Sequence, residues 1–118
     1  MVMSLSTIEH FGLGRYGDRF DLDADQKAVQ SLLRVLKQGG YFVFSVPITR
    51  GDPFIAFNSH RVYSLDMIRA WDRSLNCLEE RFVKKLSLGF IDEQQVATQI
   101  GDWDVYCGCY QKGTGNLE

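Results

Sequence analysis

An amphipathic helix that runs directly into a buried strand is the feature that most constrains how this sequence can fold. Residues 23–40, DADQKAVQSLLRVLKQGG, carry apolar side chains at three- and four-residue spacing, which predicts a helix with one buried face. Asp23 and Gln26 have the spacing of a capping box at its start, and Gly39 supplies a left-handed residue at its end. The following YFVFSVPI is continuously apolar, as in a strand that is covered on both faces of a parallel sheet.

Other predicted elements lie before and after this helix and strand, and together they form an alternating order of strands and helices. Residues 2–8, VMSLSTI, predict a short strand before the helix, and Ser64 is the expected N-cap of a second helix, SLDMIRAWDRSL. Two strands, LEERFVKKLSL and DWDVYCGCYQK, are expected after it. Because a strand-helix-strand unit closes as a right-handed parallel crossover, we expect residues 2–8 and 41–47 to be adjacent parallel strands. The predicted class is α/β, with parallel strands and a final antiparallel pair.

Length and charge limit the partners that this chain can have. The 118 residues are expected to form one domain over residues 1–112, followed by a flexible, Gly-containing tail at 113–118. The formal net charge is -2, and basic residues are interspersed with acidic ones, which argues against a nucleic-acid partner. No stretch approaches the ~18 apolar residues of a membrane span, and the first ten residues carry no basic targeting segment. We therefore expect a cytoplasmic protein with no membrane partner.

Neither the cysteines nor the histidines predict a metal site. Cys77, Cys107 and Cys109 are an odd number, and the last two alternate in a strand pattern that would turn both side chains to one face, where they would fill the core. A structural zinc site needs a second pair of ligands, and the sequence offers only His10 and His60 as imidazoles. We predict that the protein binds no metal.

One glycine motif suggests nucleotide binding by its spacing alone. Gly12, Gly14 and Gly17 satisfy G-x-G-x-x-G after a predicted strand. In a dinucleotide-binding fold, however, the helix opens inside the motif, whereas here RFDLD separates the motif from the helix. The second strand also ends near Pro47 rather than in an acid that could bind ribose hydroxyls. These departures disfavour a nucleotide-binding loop.

Three phrases of the sequence together resemble class I S-adenosylmethionine-dependent methyltransferases. They are EHFGLGRYGD, the LKQGG at the end of the helix, and the FSVP that precedes a long segment containing FNSHRVYS. The first and the last are similar to a less characterised branch of methyltransferase-like proteins. Over residues 2–112 the resemblance implies a partial Rossmann-like methyltransferase sheet, with residues 2–8 as its fourth strand. It corresponds to the C-terminal half of that domain, so the sequence is expected to be truncated.

The resemblance also implies where a cofactor would lie. The family binds S-adenosylmethionine through a glycine loop after its first strand and an acid after its second, and neither has a counterpart in this sequence. Ser6 and Thr7, at the end of the fourth strand, are left as cofactor-binding positions. We therefore expect S-adenosylmethionine to be the cofactor of the complete domain, with none bound by this chain.

Glu9 and His10 are the main catalytic candidates, because the resemblance places them beside the methyl-transfer centre. A carboxylate and an imidazole at that place can orient an acceptor hydroxyl or take its proton. Alternatively, Glu9 caps the glycine turns and His10 packs in the core. Both interpretations are open.

Seven further polar residues are candidates for binding a small-molecule or sugar acceptor, since guanidinium and phenol groups are donors of fixed geometry. They are Arg15, Tyr16 and Asp18 in the glycine-rich loop, and Asn58, His60, Arg61 and Tyr63 in TRGDPFIAFNSHRVY, which is expected to be an irregular functional loop. The alternative is that the residues of each loop interact only with other parts of the protein. An ion pair would shape the first loop, and loop-to-loop hydrogen bonds would hold the second.

The resulting hypothesis is methyl transfer to an unknown acceptor, with the chain inactive alone. The alternative is a non-catalytic binding or assembly module of the same fold. Residues 2–8 would be central in the complete fold but form an edge here, and they carry no Lys, Asp, Glu or Pro that could blunt it. We expect this exposed strand to pair with a second copy, which gives a homodimer.

Overall fold

Seven strands and two helices make up the part of the chain that is described. The structure, a computed structural model, describes residues 1–5, 8–11, 13, 21–56 and 60–113. The strands are β1 (Val2–Leu5), β2 (Tyr41–Ile48), β3 (Phe54–Ala56), β4 (His60–Val62), β5 (Leu75–Val83), β6 (Phe90–Ile91) and β7 (Asp104–Lys112). The helices are α1 (Ala24–Val35) and α2 (Leu65–Arg69), with 3-10 turns at Ile8–His10 and Glu93–Gln95. Neither α-helix has the length and apolar character needed to cross a membrane.

Five of these strands form one mixed sheet in the order β1-β2-β7-β5-β6. β1 runs parallel to β2, with Val2 opposite Phe42 and Leu5 opposite Ser45. The predicted parallel pair joined by a helix is therefore confirmed. β7 lies between β2 and β5 and is antiparallel to both, so the final antiparallel pair is also present. The architecture is mixed α/β.

α1 forms where the apolar spacing predicts, but its start is not capped as expected. Val29 and Leu33 are buried on its inner side. Asp23 makes no side-chain hydrogen bond to the helix, so the predicted capping box is absent. Its N–H instead donates to Oδ1 of Asp21 at 2.9 Å. Gly39 has the predicted left-handed conformation, with a φ of +80°, but it does not end the helix, because α1 has already ended at Val35 with Leu36 as its C-cap.

The hydrophobic core lies on one face of the sheet. Leu33 of α1 and Ile68 of α2 join alternate residues of β2 in one buried cluster, so both helices pack on the same side. The opposite face carries Met3 and Leu5, which are 56% and 58% exposed. Within the described chain, β2 is therefore covered by helices on one face rather than on both faces as predicted.

The cysteines of β7 lie on the less buried face of their strand. Cys107 and Cys109 do face the same side, as their alternation predicts, but both are half-buried while Tyr106 and Tyr110 occupy the core side. The prediction that these cysteines fill the core is wrong, because the register of the strand places the tyrosines there. Cys77 is exposed, and all three thiols are free.

The segment between β2 and α2 is more regular than predicted. β3 and β4 pair as an antiparallel hairpin with Phe54 opposite Val62, and they form a separate two-stranded sheet. Ser64 caps α2 as predicted, since its Oγ accepts a hydrogen bond from the Met67 N–H at 3.3 Å. This hairpin carries His60 to the edge of the main sheet where β1 and β2 end.

Candidate functional site

A cavity of about 240 Å³ lies beside the carboxyl end of β2 and the turn that follows β1. It is lined by Glu9, His10, Val46, Pro47, His60, Lys85, Trp103 and Val105. Open α/β sheets bind ligands at the carboxyl ends of their strands, so this position is the expected one for a site. We call this cavity the edge pocket.

Two histidines that are far apart in the sequence meet at the edge pocket. The ring centroids of His10 and His60 are 6.1 Å apart with an interplanar angle of 75°. His60 also meets Trp103 edge to face, with 5.1 Å between centroids and an angle of 70°. The 3-10 turn after β1, the first residue of β4 and the residue before β7 therefore build one aromatic wall.

Glu9 is the buried acid of the pocket. Only 2% of the residue is exposed, and its Oε2 lies 3.7 Å from Nε2 of His10. Among the described residues, its Oε1 has no hydrogen-bond partner. Burial raises the pKa of the Glu9 carboxyl above its ordinary value of 4.5, and the nearby imidazole of His10 opposes this shift only in part. Buried acids with such shifts are found disproportionately at functional sites.

Lys85 and Trp103 also line the pocket, and sequence analysis did not find them. The Lys85 ammonium lies 4.5 Å from the centroid of the Trp103 ring and 3.2 Å from Oδ1 of Asp102. These residues carry no motif, and they meet only because β5 and β7 pair in this register. The pairing of Val83 with Val105 would have been the signal, and it is not visible in the sequence alone.

Arg61 lies next to the site but is engaged within the protein. Its guanidinium donates to the carbonyls of Glu9 (3.4 Å), Phe11, Asp21 (3.2 Å) and Leu22 (3.2 Å). Its Nε lies 3.6 Å from Oδ1 of Asp25. The side chain thus ties the turn that bears Glu9 to the start of α1, which positions Glu9 at the pocket.

Tyr63 is fully buried and faces α1 rather than the edge pocket. Its hydroxyl donates a hydrogen bond of 2.7 Å to Oδ2 of Asp25. Burial, followed by the negative charge of Asp25, raises the pKa of the Tyr63 phenol well above its usual range. Because its hydroxyl is bonded to Asp25, Tyr63 serves with Arg61 to hold the helix start in place.

The remaining sequence candidates lie outside the described residues. These are Ser6, Thr7, Arg15, Tyr16, Asp18 and Asn58, together with Gly12, Gly14 and Gly17 of the glycine motif. Of the nine acceptor-side and catalytic candidates, the structure brings Glu9, His10 and His60 to one pocket and places Arg61 against the backbone behind it. Over the described ranges, no group of three or more His, Cys, Asp or Glu side chains could hold a metal ion.

We expect Glu9→Gln to stabilise the protein at neutral pH. A carboxyl whose pKa is raised on folding favours the folded state while it is protonated, and that contribution is lost as the pH rises through its folded pKa. Glutamine removes the ionisable group and so avoids the cost of a buried charge that the wild type meets as the pH rises. The expected gain is about 1 kcal/mol, the low end of the cost of an unpaired buried polar group.

Urea unfolding at several pH values measures this effect. The difference between Glu9→Gln and wild type should shrink as the pH falls below 4.5, where the carboxyl is neutral in both folded and unfolded chains. Glu79→Gln, which changes an exposed carboxyl, is the matched control and should show no such pH dependence. A stability loss in Glu9→Gln at pH 7 would mean that the carboxylate stabilises the fold.

Comparison with known proteins identifies one family whose model matches this chain. Residues 1–70, more than half of the chain, match a family described as "Caenorhabditis protein of unknown function, DUF268". The matched part contains Glu9, His10, His60 and Arg61 and ends within the segment after α2. No curated protein and no solved structure matches the chain.

Proposed function

Since the chain belongs to the DUF268 family, whose description names no activity, we propose a function from its fold and its site. In this proposal the chain is the acceptor-side half of a methyltransferase-like domain, and the edge pocket holds the group that receives the methyl. The chain is inactive alone in this proposal, because the part that binds the cofactor lies elsewhere.

The arrangement of the sheet supports the first part of this proposal. The resemblance assigns β1 and β2 to the fourth and fifth strands of a Rossmann-like sheet, with α1 as the crossover between them. β1 and β2 are indeed parallel neighbours, and β5 and β7 are an antiparallel pair at the other side of β2. A fold alone does not define an activity, so the site carries the rest of the argument.

The observation that carries the proposal is the buried Glu9 carboxylate in the wall of a pocket shared with two imidazoles. A buried polar atom without a partner costs free energy, and such atoms are rare in native proteins. A bound acceptor that donates a hydrogen bond to Glu9 would recover this cost. The same residue that weakens the fold therefore favours a ligand.

His10 is positioned to take the proton of a bound acceptor. When the O–H or N–H bond of the acceptor breaks, the proton passes to an imidazole nitrogen of His10, and the electron pair stays on the acceptor atom. The Glu9 carboxylate, 3.7 Å from Nε2, stabilises the resulting imidazolium by its charge. His60 and Trp103 bound the space in which the acceptor lies.

The edge pocket does not fit S-adenosylmethionine. At about 240 Å³ it is smaller than the roughly 300–1,000 Å³ of pockets that enclose cofactor-sized molecules. The glycine loop and the ribose-binding acid of the family also have no counterpart in the sequence.

A non-catalytic binding or assembly module of the same fold is the second candidate. It is favoured by Arg61 and Tyr63, two predicted acceptor-binding residues whose polar groups are bonded inside the protein. In this alternative the edge pocket binds a ligand without taking its proton. His10→Phe keeps a ring in the pocket wall but removes the proton acceptor. In this alternative it should bind the ligand as wild type does, whereas the first candidate requires the imidazole nitrogen.

A calorimetric and NMR titration tests the proposal. S-adenosylmethionine should show no saturable binding below about millimolar concentration, because two missing charge-assisted hydrogen bonds weaken binding by about 10²–10⁴-fold. Of two small acceptor probes that carry a donor, butylamine and butanol, at least one should shift the Trp103 indole signal, whereas butyrate has no donor and serves as the negative control. Micromolar binding of S-adenosylmethionine, or a pocket that responds to no probe, would contradict it.

A further inference from the structure

The chemistry around Glu9 selects one class of ligand. Its Oε1 is a buried acceptor that no described residue satisfies, and the carboxylate lies in the wall of the edge pocket. A ligand that fits must therefore present a hydrogen-bond donor to an acid. Amines, alcohols and protonated acids have donors, whereas carboxylate and phosphate anions do not.

The ionisable groups that line the pocket favour a cation over an anion. Lys85 is the ammonium that lines the pocket, and its charge is balanced by Asp102 at 3.2 Å. The carboxylate of Glu9 is then left as the nearest charge for a ligand. A cation would be attracted to it, and an anion would be repelled.

The aromatic wall supplies apolar surface for the hydrocarbon part of a ligand. One face of the Trp103 ring is taken by the Lys85 ammonium, whose Nζ lies 4.5 Å from the ring centroid. The rings of His60 and His10 continue this wall toward Glu9.

We infer that the edge pocket binds an alkylammonium group, with Glu9 as its counter-ion and Trp103 as its aromatic wall. This inference rests on the proposed function in one respect, since it makes an amine the methyl acceptor. The volume of about 240 Å³ suits an amine on a short chain, such as a small molecule or the end of a flexible side chain. His10 then lies where the proton of the ammonium must go before its nitrogen can act as a nucleophile.

Three probes of equal length test this assignment. Butylammonium, butanol and butyrate are titrated into the chain at pH 8, and the Trp103 indole and pocket methyl signals are followed by NMR. Butylammonium should bind at least tenfold more tightly than either of the others. Equal or tighter binding of butanol or butyrate would overturn the amine assignment.

Two variants and a control locate the effect. Glu9→Gln should weaken butylammonium at least tenfold and leave butanol within twofold, while Glu79→Gln should match wild type for both. Trp103→Leu should weaken butylammonium and butanol alike, because the ring provides apolar surface to both. Unchanged butylammonium affinity in Glu9→Gln overturns the inference.

The same titrations distinguish this inference from the proposed function. If butanol binds best and shifts the pocket signals, the edge pocket stands as an acceptor site and the amine assignment fails. If butyrate binds best, or if no probe shifts these signals, both fail.

Discussion

An Arg61→Leu variant is expected to lose about 3–5 kcal/mol of unfolding free energy, the range for removing one partner of a buried ion pair. Arg61 is buried and bonds carbonyls both in the turn that follows β1 and at the start of α1, and its Nε faces Asp25. Leucine retains the aliphatic packing but provides no donor. The carbonyls would lose this donor, and the buried Asp25 carboxylate would keep only the hydrogen bond from the Tyr63 hydroxyl.

Urea unfolding followed by circular dichroism measures this loss. Arg34→Leu, an exposed arginine replaced on α1, is the matched control and should change stability by about 0.5 kcal/mol or less. Arg61→Lys keeps the charge but cannot reach carbonyls on two sides, so an intermediate loss is expected. A loss below about 1 kcal/mol in Arg61→Leu would contradict the role assigned to this side chain.

The second large effect concerns the open side of β1, through which we expect the chain to form dimers at micromolar concentration. β1 pairs with β2 along one side, and it ends the order of the described sheet on the other. Strand edges present unpaired N–H and C=O groups, and two copies can satisfy them by pairing antiparallel about a two-fold axis. The exposed Met3 and Leu5 would gain cover in the same step.

Sedimentation equilibrium of wild type and of a double variant, Met3→Lys with Leu5→Lys, tests this expectation. The added charges should shift the protein to monomers, because lysines on an edge strand discourage pairing. Val35→Lys, which replaces an exposed apolar residue of α1, should leave the dimer intact. Wild type that sediments as a monomer at tens of micromolar would refute the pairing.

The elements predicted correctly are those whose signals are local. The spacing of apolar residues defined α1, continuous apolar character defined β2, and Ser64 capped α2 as predicted. Each of these signals depends on neighbours within one or two turns of chain. The hairpin of β3 and β4 was missed because its strands are only three residues long and leave too little alternation to detect.

The residues of the candidate site can be divided in the same way, into those with a local signal in the sequence and those without one. Glu9, His10 and His60 were found because they follow strand patterns or motifs, and the fold brings them together. Lys85 and Trp103 were missed because their approach depends on which strands pair and in which register. That Arg61 bonds carbonyls rather than facing the pocket is likewise a matter of tertiary packing, since its sequence neighbours do not reveal where the carbonyls lie.

The place of β7 in the sheet has a consequence for how the protein acquires its fold during synthesis. β2 leaves the ribosome long before β7, which is its antiparallel neighbour and also joins β5 to the sheet. Before β7 is made, the strands described for the nascent chain can form two-stranded units such as the β1-β2 pair, and such units are at best marginally stable in water. Completion of the five-stranded sheet therefore depends on contacts between distant parts of the chain, which form slowly. During that interval the apolar β2 lacks its antiparallel neighbour, which exposes the unfinished chain to misassociation.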